Sequence, residues 1–201
     1  MENAIKLKNI GEKIKVVSFK NHEFLEKAHE LHGTYREPAA WYFDNIYIDE
    51  VRSILLKLWS VTGEQDYEEC TLYVRKFSAS VENGPVYLFN RLIAQSFGHG
   101  RKSVLGEDIK LIFGRYRVGG TIRHWTTEVV DVTMEIERFP LPAISTPAVR
   151  NAIAEGWCVV RRTEGARTSD IVEADIEVCQ FNLNRFQREL LILKGMKSGV
   201  A

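Results

Sequence analysis

Helical spacing of apolar residues before residue 60, a change to two-residue alternation after Cys70, and a second helical stripe near the C-terminus together predict an α+β protein. The expected plan is an N-terminal β-α-β-α unit over 1–62 and an antiparallel sheet of about five strands over 70–139, within a middle segment 63–140. Helices over 141–201 would cover or extend that sheet.

The N-terminal unit starts with Lys13 to Phe19 (KIKVVSF), whose β-branched content and length suit a strand. His22 to Leu31 puts Phe24, Leu25, Ala28 and Leu31 on one stripe, with Glu23, Glu26, Lys27 and Glu30 opposite. Gly33 follows, where a left-handed cap belongs. Ala40 to Phe43 reads as a short buried strand and Asp44-Asn45 as a turn. A second helix is predicted from about Ile48 to Trp59. Its acids Asp49 and Glu50 sit at the positive end of the dipole, and Lys57 near the negative end.

In the middle segment Leu72 and Val74, then Phe77, Ala79 and Val81, alternate with polar residues. Asn83-Gly84 predicts a hairpin returning through Val86 to Ala94, with Pro85 complicating the turn. Ile109 to Phe113, Thr121 to Trp125 and Val129 to Ile136 complete the expected sheet. The last sets Val130, Val132, Met134 and Ile136 against Asp131, Thr133, Glu135 and Glu137. Thr146-Pro147 marks a helix start, with Thr as cap, and Gly156 its end. Trp157 to Val160 suggests a short strand and Thr163 to Asp170 a polar loop. The spacing of Leu183, Phe186, Leu190 and Leu191 predicts an amphipathic helix over Asn182 to Lys194, which would either cover the sheet or pair two copies of the chain.

Composition sets outer bounds. With 201 residues, 45% apolar and 27% charged, the chain can bury an ordinary core without disulfides or metals. No apolar run approaches the ~20 residues that span a bilayer, and the first residues lack a signal-peptide layout. Cys70, Cys158 and Cys179 show neither disulfide nor metal spacing, which fits a reducing, cytoplasmic setting.

The zero net charge is unevenly distributed. Arg91, Arg101, Lys102, Lys110, Arg115, Arg117 and Arg123 meet only Glu107 and Asp108 between residues 91 and 125. Acids dominate on both sides: Asp44, Asp49, Glu50, Glu64, Asp66, Glu68 and Glu69 before, and Glu128, Asp131, Glu135 and Glu137 after. Within the basic run, Gly114 to Gly120 followed by Thr121 to Trp125 reads as a mobile hairpin carrying Arg115, Tyr116, Arg117, Arg123 and Trp125. Cations neutralise phosphates and aromatic faces stack on bases, so this pattern points to single-stranded nucleic acid. The competing reading pairs the arginines with Glu128, Asp131 or Glu135 and buries the aromatics.

Other motifs carry less chemistry. Gly98-His-Gly-Arg-Lys-Ser103 lacks the Gly before Lys that a phosphate-binding loop needs, and Gly106 interrupts any following helix; Arg101 and Lys102 remain as anion contacts. Glu26, His29 and His32 have helical spacing for a metal but no converging ligands, and partial burial beside Leu25 and Ala28 accounts for the histidines. Cys158, beside Trp157 and Val159, reads as a small buried hydrophobe. No cofactor, metal or catalytic residue is assigned, and the expectation is a binding protein rather than an enzyme.

The Gly33-Thr-Tyr and Trp41-Tyr-Phe landmarks, with Arg91-Leu-Ile-Ala and Gly119-Gly120 further on, resemble small accessory proteins of plasmids, phages and integrative elements over about Val16 to Phe139. That resemblance implies a mobile-element protein acting on nucleic acid or on host nucleic-acid machinery. The alternative use of the same context is inhibition, with the acidic surface from Asp44 to Glu69 occupying the nucleic-acid site of a host protein.

Overall fold

The computed structural model describes residues 3–37 and 39–162. The chain opens on a hairpin of β1 (Lys6–Ile10) and β2 (Lys13–Val17), turned at Gly11 in the left-handed region (φ 78°). Helix α1 (His22–Glu30) follows, and the Asn21 side chain accepts a bond from the Phe24 N–H. Strands β3 (Thr34–Arg36) and β4 (Ala40–Asp44) then lead through a 3₁₀ turn to α2 (Ile48–Trp59). The first sheet has the order β1-β2-β4-β3, antiparallel throughout.

The second sheet is built from long strands. They are β5 (Glu69–Glu82), β9 (Ile109–Gly120) and β10 (Trp125–Pro140), joined by β11 (Cys158–Arg162) in the order β11-β5-β10-β9. Between β5 and β9 lies a third sheet of short strands, β6 (Val86–Leu88), β7 (Arg91–Gln95) and β8 (Val104–Leu105). A 3₁₀ turn (Leu141–Ser145) and α3 (Pro147–Ala154) connect β10 to β11.

The expected α+β plan is therefore corrected. The described residues are mainly β, in three antiparallel sheets of four, four and three strands, with three α-helices. The N-terminal unit is β-β-α-β-β-α rather than β-α-β-α, and no single five-stranded sheet spans 70–139. The physical reasons are local. Only Leu7 of β1 is buried and none of β3, so neither strand carries the apolar alternation that betrays a strand. Val86 to Ala94 is not one strand because Phe89 and Asn90, both left-handed (φ 50° and 60°), fold it into a two-residue hairpin. Phe is an unexpected residue there. Its ring stacks on Trp157 (5.7 Å) and meets Phe139 edge-on (6.4 Å), contacts that offset the backbone strain.

Asn83-Gly84 turns the chain but does not lay it back on β5, whose partners are β10 and β11. The Asn83 N–H instead donates to the Trp125 carbonyl (2.8 Å), and the chain leaves for the third sheet. Thr121 to His124 is a loop, not part of a strand, while the supposedly mobile Gly114–Gly120 segment lies within β9.

Bulges set which side chains face the core. Asp131 (φ 50°) bulges opposite Gly114 (φ 90°), so Val129 rather than Val130 joins Val132, Met134 and Ile136 inside. Lys76 (φ 53°) makes the equivalent break in β5, which is why the apolar rhythm skips from Val74 to Phe77. At the end of α1 the left-handed residue is His32 (φ 54°), not Gly33. The Gly33 N–H reaches the Ala28 carbonyl and the His32 N–H that of His29, a Schellman ending. Gly33 is there for space, since a Cβ would strike the Phe43 ring. Thr146 precedes α3 but does not cap it, and its hydroxyl donates to the Ala143 carbonyl.

Two hydrophobic clusters result. One gathers Ile5, Ile14, Val16, Phe24, Phe43, Leu55 and Trp59, and the other Leu72, Val74, Ile93, Val129, Met134, Ile136 and Phe139. The expected polar loop from Thr163 and helix from Asn182 to Lys194 lie outside the described residues, as does any dimer contact through that helix. Among the described residues no helix is long and apolar enough to cross a membrane.

Candidate nucleic-acid interface

The loop between β7 and β8 carries His99, Arg101 and Lys102 to the edge strand β9. There they line an open groove of ≈ 540 Å³ with Ser103, Tyr116, Arg117 and Val118. Left-handed Gly98 and Gly100 bend the loop, and a hydroxyl contact between Ser96 and Ser103 (2.8 Å) pins its base. The Ser96 N–H donates to Thr127 Oγ1, whose own hydroxyl donates to the Gly84 carbonyl. The loop runs into strand β8 rather than a helix, so its amides do not meet a helix dipole.

Four of the seven cation and aromatic positions expected from sequence thus share one groove: Arg101, Lys102, Tyr116 and Arg117. Arg101 and Lys102 are exposed and form no salt bridge among the described residues. Tyr116 is half-buried against the second core cluster, so its ring is an anchored wall of the groove. Arg117 sits opposite Glu128 in the β9–β10 register, and its Nε donates to the Glu128 carboxylate at 2.7 Å. That bond holds the Glu128 carboxyl below the usual range and keeps it ionised, while Arg115 adds a weaker push in the same direction. The pairing expected to neutralise the basic segment is therefore made by Arg117.

The other three positions lie off the groove's lining. Arg115 is exposed on the opposite face of β9 from Tyr116, as strand alternation requires. Arg123 is exposed in the loop between β9 and β10. Trp125 is half-buried at the start of β10, facing Gly120. Both glycines of β9's end make room for β10 and the loop before it. A Cβ on Gly119 would overlap the Glu128 carboxylate, and one on Gly120 the His124 carbonyl.

Two cations of the basic run are structural. Lys110 pairs with Glu135 (3.0 Å), a carboxylate that also receives Arg161. Arg91 is only 1% exposed, with its guanidinium 3.4 Å over the Phe19 ring. It donates to the carbonyls of Glu137 (3.0 Å) and Glu107 (3.1 Å), and Asp108 lies 3.6 Å away. Burial pulls its pKa down to about 10, opposed by Asp108, so it remains a cation at neutral pH.

Four of the seven acidic positions are tied to internal partners. Asp44 pairs with Lys13 (2.9 Å), and Arg52 holds both Asp49 (2.8 Å) and Glu64 (2.6 Å). The bond from Arg52 lowers the Glu64 pKa. Glu69 accepts from the Ala4 N–H (2.7 Å) and pairs with Arg138 (3.3 Å). Glu50, Asp66 and Glu68 are exposed.

The remaining motifs are absorbed by the fold. His29 packs edge-on against Trp41 (5.5 Å), and His32 leaves the helix as its left-handed end, so Glu26, His29 and His32 do not continue one helical face. No group of metal-ligating side chains occurs among the described residues. Cys158 is buried and its thiol is pushed up to about 12 by burial and then by Cys70, which leaves it un-ionised near neutrality. His99, Ser103 and Val118 were not singled out by sequence. The Gly98-His-Gly-Arg-Lys-Ser103 run was the only signal for the first two, and Val118 had none beyond its place in the Gly114–Gly120 stretch. Comparison with protein-family models, with curated proteins and with solved structures finds no match.

Proposed function

We propose that this protein acts by binding, contacting nucleic acid through the groove between the β7–β8 loop and β9, as an accessory protein of a mobile element. One observation carries the reading. Residues about fifteen positions apart converge so that Arg101, Lys102, Arg117 and His99 surround an open groove, and none of the described residues lining it is acidic. A groove of that charge tracks a phosphate backbone, and among the described residues Arg101 and Lys102 have no carboxylate in a salt bridge with them. Arg123 extends the positive surface beyond the groove. The acidic-surface alternative has no comparable support, because Asp44, Asp49, Glu64 and Glu69 are tied to internal partners.

Fluorescence anisotropy with a labelled oligonucleotide tests the proposal. If about three phosphates are neutralised, log affinity for a single strand falls against log salt with slope about −2, roughly twentyfold between 50 and 200 mM. Replacing Arg101 and Lys102 together by Ala should flatten that slope by about 1.4 and leave the melting temperature unchanged. Salt-insensitive binding, or an unaltered slope in the double variant, would reject the groove.

A further inference from the structure

Resting on that reading, we infer that the β9–β10 apex is an apolar wedge, that Ile122 is its tip, and that the nucleic acid it enters is a duplex. Ile122 is 79% exposed, the most exposed large hydrophobic side chain in the described structure. An isolated exposed apolar residue is ordinary. Its location is not. The loop Thr121–His124 closes on itself, the Thr121 N–H donating to the His124 carbonyl (3.0 Å) and the His124 N–H to Thr121 Oγ1 (3.2 Å). Ile122 and Arg123 are left at its apex. Neither has left-handed backbone, so the loop would accept a polar residue at position 122 as readily, and among the described residues the isoleucine is left 79% exposed rather than packed.

The apex is held and charged for insertion. His124 Nδ1 meets Glu82 at the end of β5, and the Asn83 N–H bonds the Trp125 carbonyl, so the loop is braced from the neighbouring strand. Arg123 stands beside the isoleucine, and Arg115 and Arg117 lie down the same ribbon. An apolar tip flanked by cations at the end of a paired strand fits the mode in which a wedge unstacks one base step of a duplex while arginines hold the flanking phosphates. The half-buried settings of Tyr116 and Trp125 favour this over base stacking on free aromatic faces. The groove at Arg101 and Lys102 would then hold the backbone beyond the wedged step.

A duplex containing 2-aminopurine, with donor and acceptor dyes at its ends, tests this with the full chain. The wild type should raise 2-aminopurine fluorescence severalfold at saturation and shorten the end-to-end distance. Ile122→Ala should still bind, with its salt dependence intact, but lose both signals, and Ile122→Leu should keep them. Because residue 122 is exposed, neither variant threatens folding. Binding without unstacking by the wild type, or full unstacking by Ile122→Ala, overturns the wedge, leaves the groove proposal standing and directs the tip to a protein partner's apolar pocket. Failure to bind any nucleic acid removes both.

Discussion

Arg91 shows how far a residue's chemistry depends on its address. Counted in sequence it belongs to a basic, solvent-facing run. In the fold its guanidinium lies over Phe19 and its donors satisfy two carbonyls, so it joins the two hydrophobic clusters instead of offering charge to a partner. Removing it strands Asp108 and the carbonyls of Glu107 and Glu137. Arg91→Ala should cost about 3–5 kcal/mol in urea unfolding, and Arg91→Lys should recover only part, since an ammonium cannot span both carbonyls or lie flat on the ring. Nucleic-acid affinity of the folded variant should be unchanged. Composition cannot distinguish Arg91 from Arg101, because burial is set by residues from three separate stretches of the chain, at Phe19, Glu107–Asp108 and Glu137.

At the scale of elements, bulges control which face each side chain takes. Gly114 adopts φ 90° against the Asp131 carbonyl, and a Cβ there would collide with that backbone. Gly114→Ala should therefore destabilise by about 2 kcal/mol, whereas Gly84→Ala, with no left-handed backbone, should stay within about 0.5 kcal/mol. Thermal unfolding compares them. Beyond Gly114 a one-residue slip would also exchange Tyr116 for its arginine neighbours on the core face, so lost binding should accompany lost stability. Helix α2 was legible at about its observed length, because twelve positions of amphipathic spacing leave little ambiguity. Strands β1 and β3 were not, since a surface strand with one buried residue or none has no pattern to read.

Across the whole molecule, the seam between the two clusters is polar and specific. Asn90 donates from its side chain to the Leu58 carbonyl at the end of α2 (2.8 Å), while its own carbonyl accepts from Asn21 (3.2 Å). It also takes the left-handed backbone that turns β6 into β7. Asn90→Gly should lose about 1 kcal/mol for the bond alone, and Asn90→Ala more, because it adds strain at positive φ. Denaturant titration of both variants separates the two costs. What the sequence by itself determined were the features encoded over a few neighbouring residues: both N-terminal helices, the alternation of β5, and the clustering of basic residues between acidic stretches. The alternation expected of β10 failed, because the Asp131 bulge puts Val129 inside and Thr133 and Glu135 are buried as well. Tertiary structure alone decided which strands became partners, which arginines were buried, and that Arg101 and Lys102 meet Tyr116 and Arg117 across one groove. Strand pairing and burial are non-local, and each depends on every other element being in place. The basic run could therefore be seen in the chain, but the groove that four of its residues line could be seen only in the fold.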